Sequence, residues 1–226
     1  MVSPAGSLIA RRVIAVGRLI LAALILAAVV TQISDRISHG VFRPAEYFSY
    51  FTVETALIFV VIFAVGGVIA LRSSADTRLF TIVRMCAVPF TIVTFVIYNT
   101  MLRGLPPAAA DAGYVWPIWP NELLHVWAPI FIVLDWVFAP GRYPLRLRAL
   151  WWVLVFPLAW VTFSLIRGVI TGWWPYPFLD PTGPLGWAGV VGYIVGIAAA
   201  FALLALLATS LCRLTARRRA LATPRS

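Results

Sequence analysis

Thr52 and His125 are the side chains whose types and spacing could do chemistry in this sequence. A neutral imidazole can take a proton from a hydroxyl, and a threonine hydroxyl is a poor nucleophile until such a base is adjacent. Thr52 lies about five residues into the apolar run that starts at Tyr47, and His125 about eight into the run that starts at Pro117. At 1.5 Å per residue these depths are roughly 8 and 12 Å, so two helices running in the same direction hold the pair at comparable levels. A membrane-buried imidazole is costly, which favours a function for His125. A lone membrane threonine usually bonds back to the carbonyl at i−4, so only the matched depth singles out Thr52.

Other polar groups reach the same layer. Thr91, Thr94 and Tyr98 share one helix face with Asn99 beside them, and Trp160, Ser164, Arg167 and Thr171 form a second stripe. Asn121 and Glu122 stand one turn from His125. The opposite half holds fewer such groups, chiefly Arg84 and Asp135. This distribution predicts a pocket opening at one side rather than a channel. Of the interior prolines Pro89, Pro129 and Pro157, Pro129 cannot supply the amide that would bond the His125 carbonyl, predicting a kink beside the histidine. Glu54 lies about 200° around the helix from Thr52; it is expected to pair with Arg167 or Arg43. Asp180 could orient the histidine or pair with Arg167. Ser49, Glu54, Tyr98, Asn99, Asn121, Glu122, Arg167 and Asp180 form the candidate set for substrate or oxyanion binding. His39 is expected to be solvated, and the aromatics from Trp173 to Phe178 to form an interfacial belt.

The elements that must position these groups follow from composition. Of 226 residues, 62% are hydrophobic and 12% charged. A soluble domain of this size could not hide so much apolar surface, and a disordered chain needs the opposite balance. Six runs approach the roughly 20 residues that cross a bilayer: Val13 to Val30, Tyr47 to Leu71, Leu79 to Leu102, Pro117 to Ala139, Ala149 to Ile170 and Leu185 to Leu211. They are too long, and lack the alternation, for barrel strands. The first resembles a signal peptide, but its length, Arg18 and the absence of a cleavage site predict an uncleaved helix. The expectation is an all-α polytopic membrane protein of six transmembrane helices forming a single domain over residues 1–226, with basic tails at 1–12 and 213–226.

All 18 basic residues are arginine. Those at 11, 12, 18, 72, 78, 84, 142, 146, 148, 213, 217, 218, 219 and 225 fall on the side holding both termini. Only Arg36, Arg43, Arg103 and Arg167 fall on the other. The positive-inside rule puts the termini in the cytoplasm of a multi-pass cell-membrane protein, with the basic face against anionic lipid headgroups. The formal net charge of +10 is thereby read as orientation, not as nucleic-acid binding. Two cysteines and two histidines offer no thiolate metal cage and exclude a multi-haem cytochrome.

The segments Tyr47-Phe48-Ser49-Tyr50-Phe51-Thr52-Val53-Glu54-Thr55, Glu122-Leu123-Leu124-His125, Arg167-Gly168 and Trp174-Pro175-Tyr176-Pro177-Phe178-Leu179-Asp180 carry a resemblance. The chain resembles bacterial six-helix membrane proteins related to the androgen-induced protein and androgen-dependent TFPI-regulating protein family. The resemblance implies a lipid hydrolase acting on fatty acid esters of hydroxy fatty acids, with Thr52 as nucleophile and His125 as base. Glu54 stands where the bacterial pattern often has an amide residue. The leading expectation is an intramembrane threonine hydrolase of lipid esters, taking a membrane lipid or fatty-acyl ester and needing no metal or cofactor. A non-catalytic carrier of an amphipathic ligand is the alternative, and a haem- or quinone-binding protein with His125 as sole axial ligand is a third.

Overall fold

The computed structural model describes residues 4–106 and 111–222. The ends of the basic tails, with Arg225 and the side chains of Arg217, Arg218 and Arg219, lie outside the described residues. Among the described residues six helices are long and apolar enough to cross a membrane, and no strand occurs. The protein is an all-α, multi-pass membrane protein.

Helix α1 (Pro4–Ser38) runs eight residues past the expected end at Val30. Its polar extension is satisfied: the Tyr47 hydroxyl donates to Gln32 Oε1 at 2.8 Å, and the Tyr114 hydroxyl donates to the Asp35 carboxylate. The second apolar run also begins differently from its expected start at Tyr47. Pro44 opens a single turn, α2 (Pro44–Tyr47), and Tyr50 then takes an extended conformation (φ −72°, ψ 130°) that breaks the chain before α3 (Phe51–Arg72). Thr52 therefore sits in the first turn of its helix.

Helices α1 and α3 form the most extensive helix pair. Their close approach requires Gly67, where a Cβ would lie 2.6 Å from Leu19 Cγ and 3.1 Å from the Ala15 carbonyl. Helix α4 (Arg78–Ile97) is the most buried span and continues as a π-helical turn, Tyr98–Leu102. The fourth span is composite: α5 (Ile118–Glu122), a second π turn (Leu123–Trp127) and α6 (Ala128–Phe138). The fifth starts as a 3-10 stretch, Leu147–Leu154, ahead of α7 (Val155–Thr171). Helix α8 (Gly186–Ala222) packs on α4 and on the 3-10 stretch, and it is the least buried span.

At the end of the bundle that holds both termini, charged groups are buried together. Arg18 lies beside Asp135 with Nε donating at 2.8 Å and Nη2 at 3.2 Å, while its Nη1 donates to the Gly66 carbonyl. Arg84 bridges Asp135 (2.6 Å) and Asp76, and Arg11 reaches Asp76 (3.1 Å) and the Pro140 carbonyl. The cluster ties α1, α4, α6 and the connections after α3 and α6. It realises the expected Arg84 and Asp135 depth as a mutual ion pair.

Candidate active site

The opposite half of the bundle holds a narrow cavity of about 80 Å3. One water requires roughly 10–15 Å3 by comparable measure, so the space suits a slender group. Its wall is mainly apolar, from Phe51, Val93, Ile97, Leu154, Pro157 and Phe201 among others, and both Thr52 and His125 line it. Helix rotation, which matched depth left open, turns both residues into one space. Leu158 lines the same cavity while leaving 49% of its surface exposed, so the slot opens sideways on the α7 face.

His125 is held in a defined orientation. It occupies the middle of the Leu123–Trp127 π turn, in which the Ala128 amide bonds the Leu123 carbonyl five residues back. Pro129, lacking an amide, follows directly, which accounts for the expected bend taking this form. The His125 ring stacks on Tyr98 with centroids 4.0 Å apart and 20° between planes. Its Nδ1 lies 2.9 Å from the Asn121 carbonyl. A carbonyl only accepts, so Nδ1 carries a proton, and in the neutral form of the ring the lone pair lies on Nε2. The Asn121 amide donates to the Tyr98 hydroxyl at 2.7 Å, locking the stacking partner in turn. Tyr98 itself opens the other π turn, closed by the Arg103 amide on the Tyr98 carbonyl at 2.7 Å. Both π turns thus meet at the imidazole.

Two hydroxyls missing from the candidate set reach the cavity. Thr94, part of the α4 stripe, has a buried hydroxyl with no hydrogen-bond partner among the described residues. Tyr176 folds in from the aromatic connection after α7, where an interfacial belt was expected. Its ring packs on Tyr50 (5.7 Å), Trp160 (5.9 Å) and Phe178 (5.2 Å). Burial pushes its phenol up to about 12, opposed by hydrogen bonding with the Thr52 hydroxyl and the backbone amides of Thr52 and Phe51. The aromatic periodicity of the Trp173–Phe178 segment gave no sign of which ring would turn inward.

The remaining candidates stand outside the cavity. Ser49 is buried, its hydroxyl donating to the Ala45 carbonyl at 2.6 Å and its carbonyl accepting from Trp160 Nε1 at 3.0 Å. Asn99 donates to the Phe95 carbonyl and accepts from Arg103 Nε. Arg103 also pairs with Glu122 at 2.8 Å. The expected Glu54 pairs do not form, because Arg43 is taken by Glu46 and Asp111 and the Arg167 guanidinium lies 4.3 Å over the Trp173 ring. Asp180 neither orients His125 nor meets Arg167. Its Oδ1 caps its own turn, accepting from the Thr182 amide and hydroxyl at 2.9 and 2.7 Å. His39 is exposed, as expected.

The family model for FAR-17a/AIG1-like protein matches residues 16–213, which takes in the four middle spans and most of the first and last. The chain belongs to the FAR-17a/AIG1-like family. Among curated relatives, the mouse (Mus musculus) androgen-dependent TFPI-regulating protein is 30% identical over 104 residues, covering 44% of this chain and 44% of the mouse protein. No solved structure matches the chain. For this FAR-17a/AIG1-like protein, the cavity residues come from α3, α4, the composite fourth span, α7, α8 and the connection between the last two. The site is therefore a property of the whole bundle rather than of one motif.

Proposed function

We propose that this protein is an intramembrane threonine hydrolase of lipid esters. The observation that carries the reading is that Thr52 and His125, whose neutral ring has its lone pair on Nε2, line one apolar cavity that opens sideways at Leu158. Thr52 Oγ attacks the ester carbonyl carbon while His125 Nε2 takes the hydroxyl proton. The carbonyl π electrons move to the oxygen, giving an oxyanion. The Thr94 hydroxyl and the Tyr176 phenol are the donors available to it inside the cavity. Collapse expels the alcohol, which leaves with the proton from His125, and an acyl-threonine remains. Water, deprotonated by the same Nε2, attacks the acyl carbon and releases the carboxylic acid, restoring Thr52. The steps need no metal or cofactor.

The cavity's apolar walls suit the hydrocarbon part of an amphipathic ester, and the sideways opening suits a substrate arriving from the bilayer. Fatty acid esters of hydroxy fatty acids, the class the sequence resemblance implies, meet both requirements. With the positive-inside rule applied to the arginines, the site faces outward across the cell membrane and the buried ionic cluster lies at the cytoplasmic end. The basic cytoplasmic face then sits against anionic headgroups.

The test is covalent labelling of purified protein by a fluorophosphonate probe. Labelling of the wild type, lost in both Thr52→Ala and His125→Ala, is the expected result. Folded wild type that stays unlabelled, and that binds lipid esters saturably without turnover, would replace the hydrolase with a carrier.

A further inference from the structure

A second space, a groove of about 670 Å3 that opens at the bundle surface beside the exposed Leu79, Trp152 and Val155, lies between α3, α4 and α7 nearer the end with the termini. Ile58, Ile62, Val83, Cys86 and Ala87 are among its walls, and Arg78 stands at its rim. The Arg78 guanidinium is exposed and makes no ion pair among the described residues. The two cavities meet at four phenylalanines. Phe51 and Phe201 line the Thr52 cavity, while Phe90 and Phe156 line the larger one. Phe90 is 5.8 Å from Phe51, 5.7 Å from Phe156 and 5.5 Å from Phe201, and Phe156 is 5.5 Å from Phe51. The four rings pack against one another where the two linings come together.

The Thr52 cavity is narrow, at about 80 Å3 against about 670 Å3 for its neighbour. Resting on the hydrolase reading above, we infer that the larger cavity is the chain-binding half of the substrate site. The ester lies at Thr52, and the acyl chain passes between the four phenylalanines to run along α4 toward Arg78. From Thr94 to Arg78 the helix rises about 24 Å, room for a long extended chain. Edge-to-face ring pairs such as Phe51 with Phe90, 82° apart, part by side-chain rotation without moving a helix. Val83, Cys86 and Phe90, which line the groove, become the chain-length determinants of the ester.

The experiment has two arms, both on the full chain in lipid nanodiscs. In the first, a palmitate ester with a diazirine on its terminal carbon is photolysed and the labelled peptides are mapped. The expected label falls on α3 or α4 around Ile62 and Val83 and is lost in Val83→Trp, or in Cys86→Trp if the former fails to fold. Label confined to the lipid-facing side of α7 and α8 would overturn the inference. In the second arm, p-nitrophenyl palmitate and butyrate are compared. The palmitate-to-butyrate ratio of kcat/KM is expected to fall about tenfold in the tryptophan variant, a change of about 1.4 kcal/mol in discrimination. An unchanged ratio overturns the chain path. Turnover of neither ester by the wild type overturns the hydrolase reading instead, while the photolabel still reports whether the chain lies in the groove.

Discussion

The two ends of the bundle bury polar groups in opposite ways. At the end with the termini, Arg11, Arg18 and Arg84 meet Asp76 and Asp135 in a network of ion pairs, Arg18 fully buried, although Arg11 Nε and Arg84 Nε find no partner among the described residues. At the other end there is no ion pair at the cavity among the described residues: the Thr94 hydroxyl has no partner among them, and the His125 ring hydrogen-bonds through Nδ1. Burial without a partner costs free energy in a bilayer, and mutual pairing offsets it. The first arrangement ties helices together by ion pairs; the second holds the groups that the proposed hydrolase would use. On that proposal, structural polarity is concentrated in one half and chemical polarity in the other.

Substitutions that separate the two halves test that division. His125→Ala should lower ester turnover by about 10²- to 10⁴-fold, the usual span for losing a general base, and Thr52→Ala by at least as much. Thermal unfolding in detergent should barely move. A matched fall in stability would mean that these residues are structural. The reverse is expected of Asp135→Ala, which leaves three guanidiniums facing one carboxylate. Breaking such a buried pair costs about 3–5 kcal/mol, read as a large drop in the unfolding midpoint. The surviving folded fraction should keep its turnover per molecule.

Tyr98→Leu removes the ring beneath the imidazole and the acceptor of the Asn121 amide. An aromatic pair contributes about 0.5–1.5 kcal/mol, so kcat should fall roughly three- to tenfold. Tyr98→Phe keeps the stack and should recover most of that loss; equal loss in both variants would assign the effect to the hydroxyl. The smallest effect concerns Tyr176. Its phenol titrates near 12 in the fold against an ordinary value of 10.0. The folded state therefore holds the proton more tightly, and the resulting stability is complete below pH 10 and lost as pH rises toward 12. The wild type should lose stability across that interval more steeply than Tyr176→Phe, measured as paired unfolding curves.

Hydropathy made the six spans legible because bilayer thickness constrains length so strongly. The same constraint on length underlay the expectation that Thr52 and His125 share a level, and both line one cavity. Rotation was not legible, since it depends on contacts such as Gly67 against Leu19 and on the two π turns, which no residue pattern announces. Pro129 signalled a disturbance but not its form. The partners of Arg18, Asp76 and Asp135 were hidden because each lies far from the others in sequence. Tyr176 was masked by neighbours of similar amphipathic character, any of which could have served an interface.

The group that orients His125 is a main-chain carbonyl. In a triad, the orienting carboxylate can be deleted by one codon change. Here no substitution at position 121 removes the oxygen, so the orienting group is encoded by chain count rather than residue identity. Inserting or deleting one residue between Asn121 and Pro129 would shift the imidazole off its acceptor, whereas side chains in the same interval can drift. The feature most resistant to point mutation is therefore the one most sensitive to a change of length.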